Sequence, residues 1–122
     1  MIIGIGTDIV EIERVRRAVD NEHFLRRVFT EVEINYCQSR GKNSAASYAA
    51  RFAAKEAFFK ALGTGIVTAL TDVEIRNDSR GKPEIFLEGD AKILADEKNV
   101  KEIFLSISHS REYATAVVIL AE

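Results

Sequence analysis

The sequence predicts an α+β protein in which a mainly antiparallel sheet packs against one long helix. Three observations lead there: residues 2–10 alternate with the period of a strand, residues 44–62 are a long run of strong helix formers, and the second half returns to strand-like alternation in two hairpin-like pairs. A chain of 122 residues has room for one domain and one modest core, so a single domain over residues 1–122 is expected.

Along residues 2–10, Ile3, Ile5, Thr7 and Ile9 share one face, while Gly4, Gly6 and Asp8 share the other. The bare glycine face leaves space for a ligand or for a closely approaching backbone. Over residues 11–19, Ile12, Val15 and Val19 recur at helical spacing, with Arg14 and Arg17 off the apolar stripe. Thr30 and Glu33 have capping-box spacing ahead of a helix through about Cys37, and the polar SRGKN that follows reads as a loop. The helix SAASYAARFAAKEAFFKAL ends at Gly63, a natural C-terminal stop. DVEIRN and PEIFLEG flank the turn-like DSRGK, which predicts a hairpin over 72–88 with Pro83 near the start of its second strand. Asp90 is placed to cap a short helix over 91–98, and IFLSIS and YATAVVIL form another strand pair around HSRE.

Composition narrows the function classes. With 17 basic and 19 acidic residues the net charge is −2, so no broad footprint for nucleic acid is expected. The longest apolar stretches fall short of the roughly 20 residues a membrane helix requires. MIIGIGTDIVEIERV carries neither a basic leader nor a small-residue cleavage site and reads as a strand of the mature domain. The single cysteine, Cys37, has no internal disulfide partner. The expectation is a cytoplasmic protein that binds neither nucleic acid nor membrane.

Three segments carry polar groups that their surroundings do not explain. Asp8 stands on an otherwise apolar strand, where it either caps the following helix or carries chemistry. Glu56 and Lys60 are four apart on one helical face with Phe52, either as an exposed ion pair or as charges at the edge of buried aromatic surface, where a metal or phosphate would compensate them. The GTG after that helix, with Gly63 and Gly65, offers backbone N–H groups or a plain C-cap. In LSISHSRE, Ser106 and Ser108 share a strand face and His109 and Ser110 are delivered to a turn. No third member of a nucleophilic triad accompanies them; His109 is either a structural turn histidine, the commoner use, or with Arg111 part of a hydroxyl-rich turn suited to phosphate contact.

Taken together, GIGTDIVEIERV, FAAKEAFFKALGTG, RGKP and SISHSREYATAVVIL resemble the holo-acyl-carrier-protein synthase family, in order and at family-like spacing over nearly the whole chain. The resemblance implies a 4′-phosphopantetheinyl transferase-like fold and the short form of the superfamily, which assembles as homotrimers. It implies Mg²⁺ held by Asp8 and Glu56, with Lys60 adding positive charge at the coenzyme A pyrophosphate. Arg51, Gly63, Gly65, His109 and Ser110 would line the coenzyme A site, with Lys42 near the 3′-phosphate. The nucleophile would be a serine of an apo-acyl carrier protein. The general base stays open between water held by the metal, Glu56 acting through water, and His109. Acyl carrier proteins are acidic, so Arg14, Arg17 and Arg26 are candidate docking residues. A metal-dependent phosphate hydrolase and a non-enzymatic oligomeric binding module are the rival classes. The first would consume coenzyme A without a carrier protein, and the second would bind no ligand in a metal-dependent way.

Overall fold

A computed structural model describes all of residues 1–122. In chain order the elements are β1 (Ile2–Glu11), α1 (Ile12–Ala18), α2 (Glu22–Val28), α3 (Glu31–Gln38), α4 (Ser44–Leu62), β2 (Val73–Asn77), β3 (Pro83–Leu87), α5 (Gly89–Glu97), β4 (Glu102–His109) and β5 (Tyr113–Ala121). Single 3₁₀ turns lie at Gly41–Asn43 and Leu70–Asp72. The main sheet is antiparallel with order β1-β5-β4, and β2 and β3 form a separate two-stranded sheet around the expected DSRGK turn.

The glycine face of β1 is filled by backbone, not by ligand. A Cβ on Gly4 would lie 2.0 Å from the Ala61 carbonyl oxygen, and one on Gly6 would lie 2.1 Å from that of Ala57. The strand therefore presses directly on α4, running antiparallel to it. This contact sets the register of the site: with Gly4 opposite Ala61 and Gly6 opposite Ala57, the next inward residue, Asp8, meets the Glu56–Lys60 turn. Gly6→Ala is expected to lower stability by about 1–3 kcal/mol, since the clash is with backbone and the helix itself must shift. An unchanged denaturation midpoint would show that strand and helix are not in contact there.

The inward residues of β5, Ala114, Ala116, Val118 and Leu120, pack with the small residues of α4 and with Phe58, Phe59, Val73 and Ile75 in the larger of the two core clusters, Ala114 alone belonging to the smaller. That smaller cluster joins Val15, Leu25, Phe29, Ile34, Cys37 and Tyr48, and burial pushes the Cys37 thiol up to about 12, leaving it inert. The outer sheet face is different. Ile5, Ile9, Phe104 and Val117 are 63%, 61%, 50% and 37% exposed, and the register Ile5↔Ile119↔Phe104 puts them side by side.

The capping box forms as expected, with the Thr30 N–H donating to Glu33 Oε1 and the Glu33 N–H to Thr30 Oγ1. Glu33 also has a role invisible in the sequence. Lys55 Nζ lies 2.9 Å from Glu33 Oε1 with both side chains fully buried, and it donates to the Leu70 and Val73 carbonyls at 3.0 and 2.5 Å. Glu33 Oε2 accepts from the Ile75 N–H at 2.8 Å, so every charge of the pair is satisfied and α3, α4 and β2 are tied together.

Two elements differ from the sequence reading. Asp90 does not cap α5: the helix begins at Gly89 with Glu88 in the cap position, and Asp90 lies inside the first turn, where the helix dipole favours an anion. Helix α2, which the sequence reading left undescribed, starts where the Asn21 side chain accepts from the Phe24 N–H at 3.0 Å.

Candidate active site

Asp8 does not cap α1, whose N-cap is Glu11. Its Oδ1 accepts from Lys60 Nζ at 2.9 Å, while its Oδ2 is buried with no hydrogen-bond partner. Glu56 stands one turn earlier on α4. Burial, and then the neighbouring Asp8 charge, push its carboxyl above the usual carboxylate range, with Lys60 opposing. The ion pair thus runs from Lys60 to Asp8 across the strand–helix contact, not along the helix to Glu56. Glu56 is left without an ion-pair partner and feels the Lys60 charge only at longer range. The same cleft, of about 450 Å³, is lined by Asp8, Arg14, Phe24, Phe52, Glu56 and Tyr113 among others.

These residues fit a Mg²⁺ ion. No group of three or more acidic, histidine or cysteine side chains converges, but Mg²⁺ is held through one or two carboxylates when substrate phosphates and water complete the octahedron. An orphaned carboxylate oxygen beside a second carboxylate, in a cleft with room for a ligand, provides that donor set.

Arg51 belongs to a second cleft. It is 2% exposed, its Nη2 donates to Asn77 Oδ1, its guanidinium lies 4.2 Å from the Tyr36 ring centre, and its buried Nε has no partner. This cleft, of about 160 Å³, is also lined by Arg40, Ser47 and His109. His109 ends β4 and is paired with no carboxylate; the one polar contact of its ring is the Ser110 carbonyl, 3.4 Å from Nδ1. Ser110 shapes the turn, donating its N–H to the Tyr113 carbonyl at 2.8 Å. Lys42 is exposed in the 3₁₀ turn ahead of α4. The Gly63 N–H is used by the helix end, bonding to the Phe59 and Lys60 carbonyls, whereas the Gly65 N–H has no partner within the chain. One chain therefore places Asp8 and Glu56 around one cleft, with Lys60 bound to Asp8, and Arg51 and His109 around another.

Of the candidate docking arginines, Arg14 lines the Asp8 cleft and Arg17 is exposed on the same helix. Arg26 is bound by Glu22 and Glu31, which neutralise it. Tyr36, Arg40, Asn77 and Tyr113 are cleft residues that the sequence reading missed. Tyr36 lies on α3 and Arg40 just past it in the SRGKN loop, where nothing local marks them as cleft residues, and Asn77 meets Arg51 across 26 positions.

A carboxylate pair with a lysine, in a fold that also carries a separate cleft lined by two guanidinium groups, suits an enzyme acting on a phosphate-bearing substrate. The sequence profile of the 4′-phosphopantetheinyl transferase superfamily matches residues 4–118, and the chain belongs to that family. A protein of Fusobacterium nucleatum named holo-[acyl-carrier-protein] synthase is 49% identical over 98% of this chain and 99% of its own length. The crystal structure of the synthase from Neisseria meningitidis superposes with a TM-score of 0.91 at 36% identity, covering 100% of both chains. That of the Bacillus anthracis synthase, in complex with CoA (3′,5′-ADP), gives 0.82 at 41% identity and covers 98% of this chain and 96% of that one.

Proposed function

We propose that this chain, a phosphopantetheinyl transferase over residues 1–122, moves 4′-phosphopantetheine from coenzyme A to a serine of an apo-acyl carrier protein. Adenosine 3′,5′-bisphosphate is released, and the reaction uses Mg²⁺ and serves fatty acid biosynthesis in the cytoplasm. The observation that carries the reading is the unpartnered Asp8 oxygen beside Glu56 and Lys60 in an open cleft of a chain belonging to this family. The carrier serine oxygen forms a bond to the β-phosphorus as the bond from that phosphorus to the bridging oxygen breaks. The serine proton passes to a base, and the electron pair leaves on the bisphosphate. Mg²⁺, when bound, neutralises the charge of the pyrophosphate and of the departing group. Lys60, more than half exposed, is free to turn its ammonium from Asp8 to a phosphate oxygen. Phe24, Phe52 and Tyr113 limit water at the cleft.

The test is incubation with apo-carrier protein, coenzyme A and Mg²⁺, read by intact mass. The expected product is a carrier heavier by one phosphopantetheinyl group. Consumption of coenzyme A with an unchanged carrier would instead establish the hydrolase reading, and no change in either would leave a binding module.

The proposal extends to a homotrimer with active sites at subunit boundaries. The exposed apolar outer face of β1, β5 and β4 supports association, and the separation of the Asp8 and His109 clefts within one chain supports sites completed by a neighbour. Docking of the acidic carrier falls to Arg14 at the cleft rim, flanked by Arg17, with Arg26 contributing little while held by its two glutamates. Arg14→Glu is expected to raise the KM for carrier protein by about tenfold while leaving the KM for coenzyme A within about twofold, because a rim charge acts mainly on encounter. Equal effects on the two substrates would remove Arg14 from the docking surface.

A further inference from the structure

The Arg51 cleft contains a charge arrangement that packing alone does not account for. A guanidinium 2% exposed is normally met by a carboxylate, since a buried charge left unpaired is strongly unfavourable. Here its partners are the Asn77 amide oxygen and the face of Tyr36, and its Nε has none. The buried carboxylates, Glu33 and Glu74, are bound to Lys55 and Arg76. Arg40, exposed on the loop after α3, brings a second guanidinium to 5.6 Å from the centre of the same Tyr36 ring. The residues around this cleft include Arg40, Arg51 and His109 and no acidic side chain. Two guanidinium groups would repel one another unless something held them, and one aromatic ring contacts both. The Asn77 amide also donates to the Gly81 carbonyl, which fixes its oxygen toward Arg51 and anchors it to the hairpin turn.

We propose that Tyr36 is a positioning residue: its ring holds Arg40 and Arg51 together so that both present to the 3′-phosphate of coenzyme A, which sets a preference for coenzyme A over dephospho-coenzyme A. This rests on the function proposed above and adds to it how one substrate phosphate is selected. A phosphate monoester dianion is the occupant that two convergent guanidinium groups match in charge and geometry, and coenzyme A carries one such group remote from its pyrophosphate. The Tyr36 hydroxyl makes no hydrogen bond within the chain, so the ring, and not its oxygen, carries the role.

The test compares dissociation constants for coenzyme A and dephospho-coenzyme A, measured by calorimetry with Mg²⁺ on the full chain, for wild type, Tyr36→Phe, Tyr36→Leu and Arg40→Ala. Wild type is expected to prefer coenzyme A. Tyr36→Phe keeps that preference, Tyr36→Leu weakens coenzyme A binding by about tenfold with dephospho-coenzyme A unchanged, and Arg40→Ala weakens it selectively by about threefold. A residue that only packed the core would weaken both ligands together. Equal loss for both in Tyr36→Leu, or loss in Tyr36→Phe as large as in Tyr36→Leu, overturns the proposal. Should Tyr36→Leu fail to fold, Arg40→Ala, a surface change, decides it: an unaltered ratio of the two constants overturns the proposal. A wild-type protein that binds both ligands equally overturns the positioning role while leaving the transferase reading intact, and one that binds neither overturns both.

Discussion

Glu56→Gln and Asp8→Asn are each expected to lower transfer by on the order of 10²-fold or more while leaving the protein folded, since each removes a fixed charge from a preorganised site and keeps its shape. The two carboxylates lie on α4 and on β1, elements locked together by the Gly4 and Gly6 contacts, so neither amide has a reason to move. Stability supplies a readout independent of turnover. Burial and the Asp8 charge raise the Glu56 carboxyl above its ordinary 4.5, so the folded protein holds that proton more tightly than the unfolded chain does. Stability therefore falls as pH rises from about 4.5 through the raised value, and above it the whole penalty is present. Glu56→Gln escapes that penalty. At neutral pH in metal-free buffer it should melt at or above wild type, while added Mg²⁺ should raise the wild-type Tm and leave the variant unmoved. Near-normal turnover with Mg²⁺, or an equal Mg²⁺ shift in both proteins, would remove Glu56 from the metal site.

The parts of this site that lie on one element were legible in the sequence, and the parts made by two were not. Strand alternation separated Asp8 and its glycines from Ile3, Ile5 and Ile9, and helix propensity with a glycine stop placed α4 to the residue. What filled the glycine face was left open, because a ligand and a backbone remove side chains from a strand in the same way. Only the proximity of Ala57 and Ala61 decides it. Local spacing likewise suggested Glu56 and Lys60 as a pair, yet Lys60 bonds Asp8, 52 positions away. The Glu33 to Lys55 pair and the Arg51, Tyr36 and Asn77 cluster are long-range in the same sense. No pattern period marks them, and a charged residue inside an alanine-rich helix reads as a solvated face until the strand or turn that covers it is known. Asp90 shows the converse limit: a good capping residue two positions past the true cap is indistinguishable from the cap by composition.

Mixing two inactive variants is expected to restore activity. Within one chain the Asp8 cleft and the His109 cleft are lined by different residues, with Asp8, Glu56 and Arg14 around the first and Arg51, Arg40 and His109 around the second. A transferase must hold the pyrophosphate and the rest of coenzyme A at once, so in the proposed trimer the first cleft of one chain faces the second of its neighbour. In that proposal the outer sheet face would supply the contact: Ile5, Ile9 and Phe104 are each at least half exposed, a patch that association would cover. Asp8→Ala and His109→Ala chains should each lose at least about tenfold in turnover by themselves. A closed ring containing both variants has one boundary where intact Asp8 meets intact His109, so purified mixed trimers should recover roughly one third of wild-type turnover. The experiment co-expresses the two chains with different tags, isolates oligomers carrying both, and compares them with each parent. Both substitutions are expected to spare the fold, because His109 is exposed and the loss of Asp8 leaves only the solvent-facing Lys60 ammonium without its partner. Verified mixed oligomers no more active than the mean of their parents, with each parent impaired as stated, would place the whole site within a single chain.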